Sequence, residues 1–117
     1  MIVYICTRYS AKTQEQFDEQ LKATKEISRE VVLAGHEVIV AHLYYPQFLN
    51  DDDINERLVG TQSAIKLLDV CDLLLVYAGL GVSSGMRQEI EVARQKGMMV
   101  YHFDDIKNIK EIMCQLN

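Results

Sequence analysis

The chain has no tryptophan, a single proline and three widely separated cysteines. Cys6, Cys71 and Cys114 form neither a Cys-x-x-Cys pair nor any spacing that zinc uses. A disulfide scaffold and a structural metal site therefore find no support, and the thiols read as buried and reduced. With Pro46 standing alone and no repetitive or Gly/Ser-rich stretch, nothing marks a linker, so residues 1–117 are expected to form one domain. No apolar run approaches the ~20 residues of a membrane span, and Met1 leads straight into an apolar run with no charged leader. The expected setting is cytoplasmic, without a membrane partner. An excess of positive charge is missing too. Twelve Lys and Arg against 17 Asp and Glu give a net charge of -5, which argues against nucleic acid as a partner.

What is present is a globular balance, 49% apolar and 25% charged, arranged as alternating strand and helix patterns. Ile2 to Cys6 reads as a strand. Thr13 and Gln16 make a T-x-x-Q capping box, and Phe17, Leu21, Thr24, Ile27 and Val31 follow at helical spacing until Ala34-Gly35. Glu37 to Ala41 is a second strand, and His42 to Asn50 a loop. Asp53-x-x-Glu56 opens a helix expected to turn Ile54, Leu58, Thr61, Ile65 and Leu68 to the core. Asp72 to Tyr77 is a near-continuous apolar run, as in a strand covered on both faces. A helix from Ser84 to Lys96 stops at Gly97, a strand covers Met98 to His102, and a helix closes the chain from Asp105 to Leu116. This order predicts an α/β fold: a Rossmann-like (flavodoxin-like) doubly wound parallel sheet, strands one and three central, helices on both faces. Such sheets bind ligands beyond the carboxyl ends of their strands. The loops Thr7–Lys12, His42–Asp52 and Ala78–Ser84 then matter most.

Three constellations lie there. In Gly79-Leu80-Gly81-Val82-Ser83-Ser84-Gly85-Met86, a buried strand meets a helix through glycines and serines. Free backbone N–H groups at that helix start favour an anion, although an ordinary capped turn has the same composition. The spacing is neither a Walker loop nor the GxGxxG of dinucleotide folds, and no cofactor is expected. On the helix that follows, Met86, Ile90 and Ala93 share the face that meets the sheet. At about 100° per residue, Glu89 falls about 65° from the centre of that face and Glu91 more than about 130° away. Glu89 thus stands at the core margin near the crevice, and Glu91 in solvent. The second constellation, His42 with Tyr44, Tyr45 and Phe48, is either a wall for a planar base or a loop folded over the sheet edge. The third is Tyr4 with Thr7, Arg8 and Tyr9, where Arg8 is placed to meet a phosphate or to remain a surface arginine. The acidic run Asp51-Asp52-Asp53 reads as loop and helix start, with no metal expected.

Val-Tyr-Ile-Cys at 3–6, Ala-Gly-His-Glu-Val at 34–38, Cys-Asp-Leu-Leu-Leu-Val at 71–76 and Ser-Gly-Met-x-x-Glu-Ile-x-x-Ala at 84–93 resemble the nucleoside 2-deoxyribosyltransferase-like superfamily. With His-Leu-Tyr-Tyr-Pro-Gln-Phe-Leu at 42–49, the chain is most similar to its small bacterial and phage branch. The resemblance implies that Glu89 is a nucleophile toward an anomeric carbon and that Tyr4 orients it. It also implies that Ser83, Ser84 and Gly85, with Met86 beside them, hold a sugar or 5′-phosphate. One departure stands out: where the enzymes carry an aspartate near the base, this chain has Ala64, with Asp69 and Glu56 as remote substitutes.

Two functions follow as expectations. In the first, a nucleoside or nucleotide is bound and cleaved, or its sugar transferred, at the N-glycosidic bond by Glu89 and Tyr4. Thr7, Arg8, Tyr9, His42, Tyr45, Gly79, Ser83, Ser84, Gly85 and Met86 would bind the ligand. In the second, the same residues capture a nucleotide-derived signal such as an ADP-ribose-like messenger without chemistry, as a phage anti-defence protein would. A homodimer or higher homo-oligomer is expected in either case, since related enzymes complete their sites across subunits.

Overall fold

The structure, a computed structural model, describes residues 1–116. Among these, strands β1 (Ile2–Cys6), β2 (Glu37–Ile39), β3 (Leu73–Tyr77) and β4 (Met99–Phe103) form one parallel sheet in the order β2-β1-β3-β4. Register pairs Tyr4 with Ile39 on one side and with Leu74 on the other. The helices are α1 (Gln14–Leu33), α2 (Ala41–Tyr44), α3 (Ile54–Leu67), α4 (Ser84–Gln95) and α5 (Ile109–Leu116).

Side chains alternate across the two central strands because the strand period is two. Val3, Ile5, Leu73, Leu75 and Tyr77 face α1 and α5, where Ile27, Val31, Ile112 and Met113 complete one core. Tyr4, Cys6, Leu74 and Val76 face the other way, against Ala64 and Leu68 and the Met86, Ile90 and Ala93 stripe of α4. The sheet is thus covered on both faces, which is the doubly wound, Rossmann-like arrangement expected of the sequence. Between β1 and β3 the chain reverses its direction of travel across the sheet, and the loops leaving those two strands diverge to open a crevice.

Several local expectations are corrected. The second strand ends at Ile39 rather than Ala41, and the stretch expected as a loop contains α2 and a 3-10 turn at Tyr45–Gln47. As an edge strand, β2 has only β1 to hold it, and Pro46 suits the first turn of a helix because it has no N–H to satisfy. At the start of α1, Thr13 accepts from the Gln16 N–H as expected. The Gln16 side chain, however, reaches Lys12 N at 3.0 Å instead of closing the box on Thr13. The face expected of the third helix holds only toward its end: Leu68 is fully buried and Thr61 and Ile65 half-buried, but Ile54 and Leu58 are 76% and 55% exposed, and the buried residue within α3 is Ala64. Small side chains let that helix approach a cleft without filling it. Cys6 is buried, but Cys71 is only partly so and Cys114 is exposed, contrary to the expectation of three buried thiols.

Gly79, expected to bind ligand, has a packing role after β3. A Cβ there would stand 2.6 Å from the Asp104 backbone oxygen and collide with the Tyr77 ring. Neither neighbour is free to move, since Tyr77 packs on Phe103 at 5.1 Å within the core. Gly79→Ala is expected to destabilise the protein by about 1–3 kcal/mol in urea unfolding, as overpacked sites do. Unchanged stability would contradict this packing role.

Candidate functional site

Tyr4 and Cys6 lie two residues apart on the same face of β1, under the second turn of α4. Packing of Met86, Ile90 and Ala93 against the sheet carries Glu89 down between them, leaving it 7% exposed. The Tyr4 hydroxyl donates a hydrogen bond to Glu89 Oε2. The Cys6 thiol points at Oε1 from 3.8 Å, a long, weak contact. Burial raises the Glu89 pKa to about 7, even though the Tyr4 and Cys6 hydrogen bonds act to lower it. Near neutral pH the carboxyl is therefore divided between its two protonation states. Burial, and next the Glu89 charge, push the Tyr4 and Cys6 groups upward, so both stay protonated donors.

Glu89 borders a cleft of about 470 Å³, within the range of small-molecule sites. One side is the start of α4, where Ser83 caps the helix by accepting from Met86 N at 3.2 Å. The Ser84 and Gly85 amides have no partner among the described residues, so two N–H donors remain for a ligand. Another side is aromatic. Tyr9 stacks on His42 with ring centroids 4.8 Å apart, meets Phe17 edge-on at 5.4 Å, and Tyr45 lies beyond them in the lining. The His42 Nε2 is 2.9 Å from the Thr7 carbonyl. A carbonyl only accepts, so Nε2 carries the proton and Nδ1 is the acceptor. Burial lowers the His42 pKa, opposed by the Thr7 carbonyl and by Asp51, so the ring is held toward its neutral form. Gly60, Thr61 and Ala64 of α3 line the cleft as well, with Arg57, Asp51 and Asp52.

The residues singled out in the sequence divide into two groups. Tyr9, His42, Tyr45, Ser83, Ser84, Gly85, Met86 and Glu89 line this one cleft, with Tyr4 bonded to Glu89. Thr7, Arg8 and Gly79 do not line it. Thr7 is buried with its hydroxyl 2.6 Å from that of Thr24, so it serves the site only through its carbonyl. Arg8 lies in an adjoining groove. Asp69 pairs with Lys96 at the surface, and Glu56 accepts from Asn50 N at 3.2 Å; neither lines the cleft. Sequence reasoning did not single out Cys6, Phe17, Arg57, Gly60 or Thr61, and took Asp51 and Asp52 for loop. One readable signal was there: Gly60 and Ala64, four residues apart, put small side chains on one helix face.

Fold and cleft together define a Rossmann-like α/β domain with a ligand-sized site at its switch point. The chain belongs to the family described as a domain of unknown function (DUF7768), whose model matches residues 1–103, from β1 through β4. A segment of it is also 42% identical over 50 residues to agmatinases of Bacillus cereus and Bacillus anthracis. That similarity covers 40% of this chain and 17% of each agmatinase, so less than a fifth of those proteins' length is matched.

The raised Glu89 pKa also has a cost in stability. The folded state keeps the proton up to about pH 7, whereas a carboxyl at the ordinary value loses it near 4.5. Folding is thus unopposed by this group below pH 4.5, and stability falls by about 3 kcal/mol as the pH rises from there to 7. Glu89→Gln retains an acceptor for Tyr4 but cannot ionise. It is expected to match wild type in urea unfolding at about pH 4.5 and to be more stable by about 2–3 kcal/mol at about pH 8. A variant with no such gain at the higher pH would contradict the burial of an ionisable carboxyl.

Proposed function

We propose that the cleft binds a nucleoside or nucleotide and that Glu89 attacks the anomeric carbon of its sugar, as the resemblance to nucleoside 2-deoxyribosyltransferase-like proteins suggests. One observation carries the reading: a buried carboxyl, half ionised near pH 7, beside an aromatic wall and two free helix-start amides. Glu89 Oε2 is held by Tyr4, which leaves Oε1, with only the long contact to Cys6, as the freer oxygen. In the proposed step, Oε1 forms a bond to the anomeric carbon as the glycosidic C–N bond breaks. The base leaves with the electron pair and takes a proton, and water or a second base then displaces Glu89. Tyr9 and His42 offer a stacking surface for the base, and the Ser84 and Gly85 amides offer donors to a sugar oxygen or phosphate. Asp51 and Asp52 are the lining's other carboxyls, and the departing base takes its proton from solvent.

Capture without cleavage is the second reading, and Ala64 favours it. A methyl group faces the cleft where the enzymes place their acid, which removes assistance of about 10²–10⁴-fold. Chromatography of nucleosides and nucleoside 5′-monophosphates after incubation separates the two. Free base from wild type, lost at least about a thousandfold in Glu89→Gln while affinity holds within a few-fold, supports catalysis. Intact ligand, with affinity changed by about 1–3 kcal/mol in the variant, supports capture. Activity and affinity both unaltered by Glu89→Gln would overturn both readings.

The same proposal includes self-association. Tyr44, Phe48, Ile54 and Leu58 are each more than half exposed and come from one stretch of chain beside the cleft, a surface suited to a second copy. Light scattering at micromolar concentration is expected to give at least twice the 13.4 kDa chain mass, and Leu58→Glu to reduce it. A monomeric wild type would contradict this.

A further inference from the structure

The cleft is not electrically even. Among the described residues its lining holds the carboxyls of Asp51, Asp52 and Glu89 against the cation Arg57. Asp51, Asp52 and Arg57 form no ion pair with a described residue, so nothing within the chain neutralises the two aspartates. His42 adds no positive charge, because burial holds its ring toward the neutral form. The excess negative charge also has a definite place. Asp51 stands beside both rings of the stacked pair Tyr9 and His42: it adds to the burial that raises the Tyr9 pKa and opposes the burial that lowers that of His42. An aromatic face beside a carboxylate suits a flat cation, since the ring quadrupole and the anion attract the same charge.

The departing base supplies a second, chemical argument. A neutral base leaves with an extra electron pair and must gain a proton as the bond breaks. Helix α3 lines its side of the cleft with Gly60, Thr61 and Ala64, and none of these is an acid. A base that is already a cation needs no acid, because the electron pair of the broken bond cancels its charge and it leaves neutral.

We infer that the cleft selects nucleosides whose base carries a positive charge, a pyridinium or an N7-alkylated purine, and that Asp51, beside the Tyr9–His42 stack, sets this preference. The inference rests on the nucleoside reading above and narrows its substrate. In the narrowed step, Glu89 Oε1 bonds to the anomeric carbon, the C–N bond breaks, and its electron pair passes to the ring nitrogen. Water then displaces Glu89 from the sugar, and the surplus proton goes to solvent.

Nicotinamide riboside is the cationic probe. Benzamide riboside is its neutral isostere, with a ring carbon in place of the charged nitrogen and no C–N bond to cleave. Calorimetry in Glu89→Gln, where turnover cannot interfere, is expected to show the cation bound about ten- to a hundredfold more tightly. Adding Asp51→Asn should cut that preference at least about threefold. In wild type, nicotinamide should be released at least about a hundredfold faster than adenine is from adenosine. Equal affinity for the two ribosides, a preference that Asp51→Asn leaves intact, or faster cleavage of adenosine would overturn the inference and leave the nucleoside reading standing. Failure of both ribosides and of every neutral nucleoside to bind would remove the reading itself, and this inference with it.

Discussion

A carboxyl group shared between two strand residues organises this molecule. Tyr4 and Cys6 point to the same face of β1 because the strand period is two, and β1 is central, so that face is covered by α4. The stripe of Met86, Ile90 and Ala93 seats α4 on the sheet, and a helix so seated cannot keep position 89 in water. An ionisable group in that place opposes folding unless it is protonated or well bonded. Tyr4 and Cys6 offset part of the burial and leave the rest as a pKa of about 7. A core-filling apolar residue would be more stable here at neutral pH.

The cleft follows from the same geometry. The chain leaves β1 toward β2 and leaves β3 toward β4, so the loops part above Glu89. Helix α3 approaches with Gly60, Thr61 and Ala64, too small to fill the gap, while Ile54 and Leu58 stay exposed. Aromatic, acidic and amide surfaces then meet in one cavity. The cations Arg8 and Lys12 lie next door, in the adjoining groove.

How much of this could be read beforehand depended on whether periodicity or contact decided it. The β3 run and the α4 stripe have one answer each, because a continuous apolar strand and a narrow helical face leave no alternative. The side on which Glu89 falls follows from them. Helix α3 misled at its start, because Ile54 and Leu58 were taken for buried residues; the side toward the cleft is marked by smallness instead. Arg8 and Thr7 adjoin the end of β1, but sequence position does not say which way a side chain leaves a loop. Arg8 turns over Gly81 and Thr7 toward Thr24 of α1.

The central claim is that Glu89 is a buried carboxyl poised near neutrality at the edge of a ligand cleft. Its side-chain carboxyl carbon can be followed by NMR through a pH titration of the folded protein. A midpoint near 7, moving upward in Tyr4→Phe as a hydrogen bond to the ionised form is lost, is the predicted result. A midpoint near the ordinary 4.5, indifferent to Tyr4, would mean that Glu89 is solvated and that the account of this site is wrong.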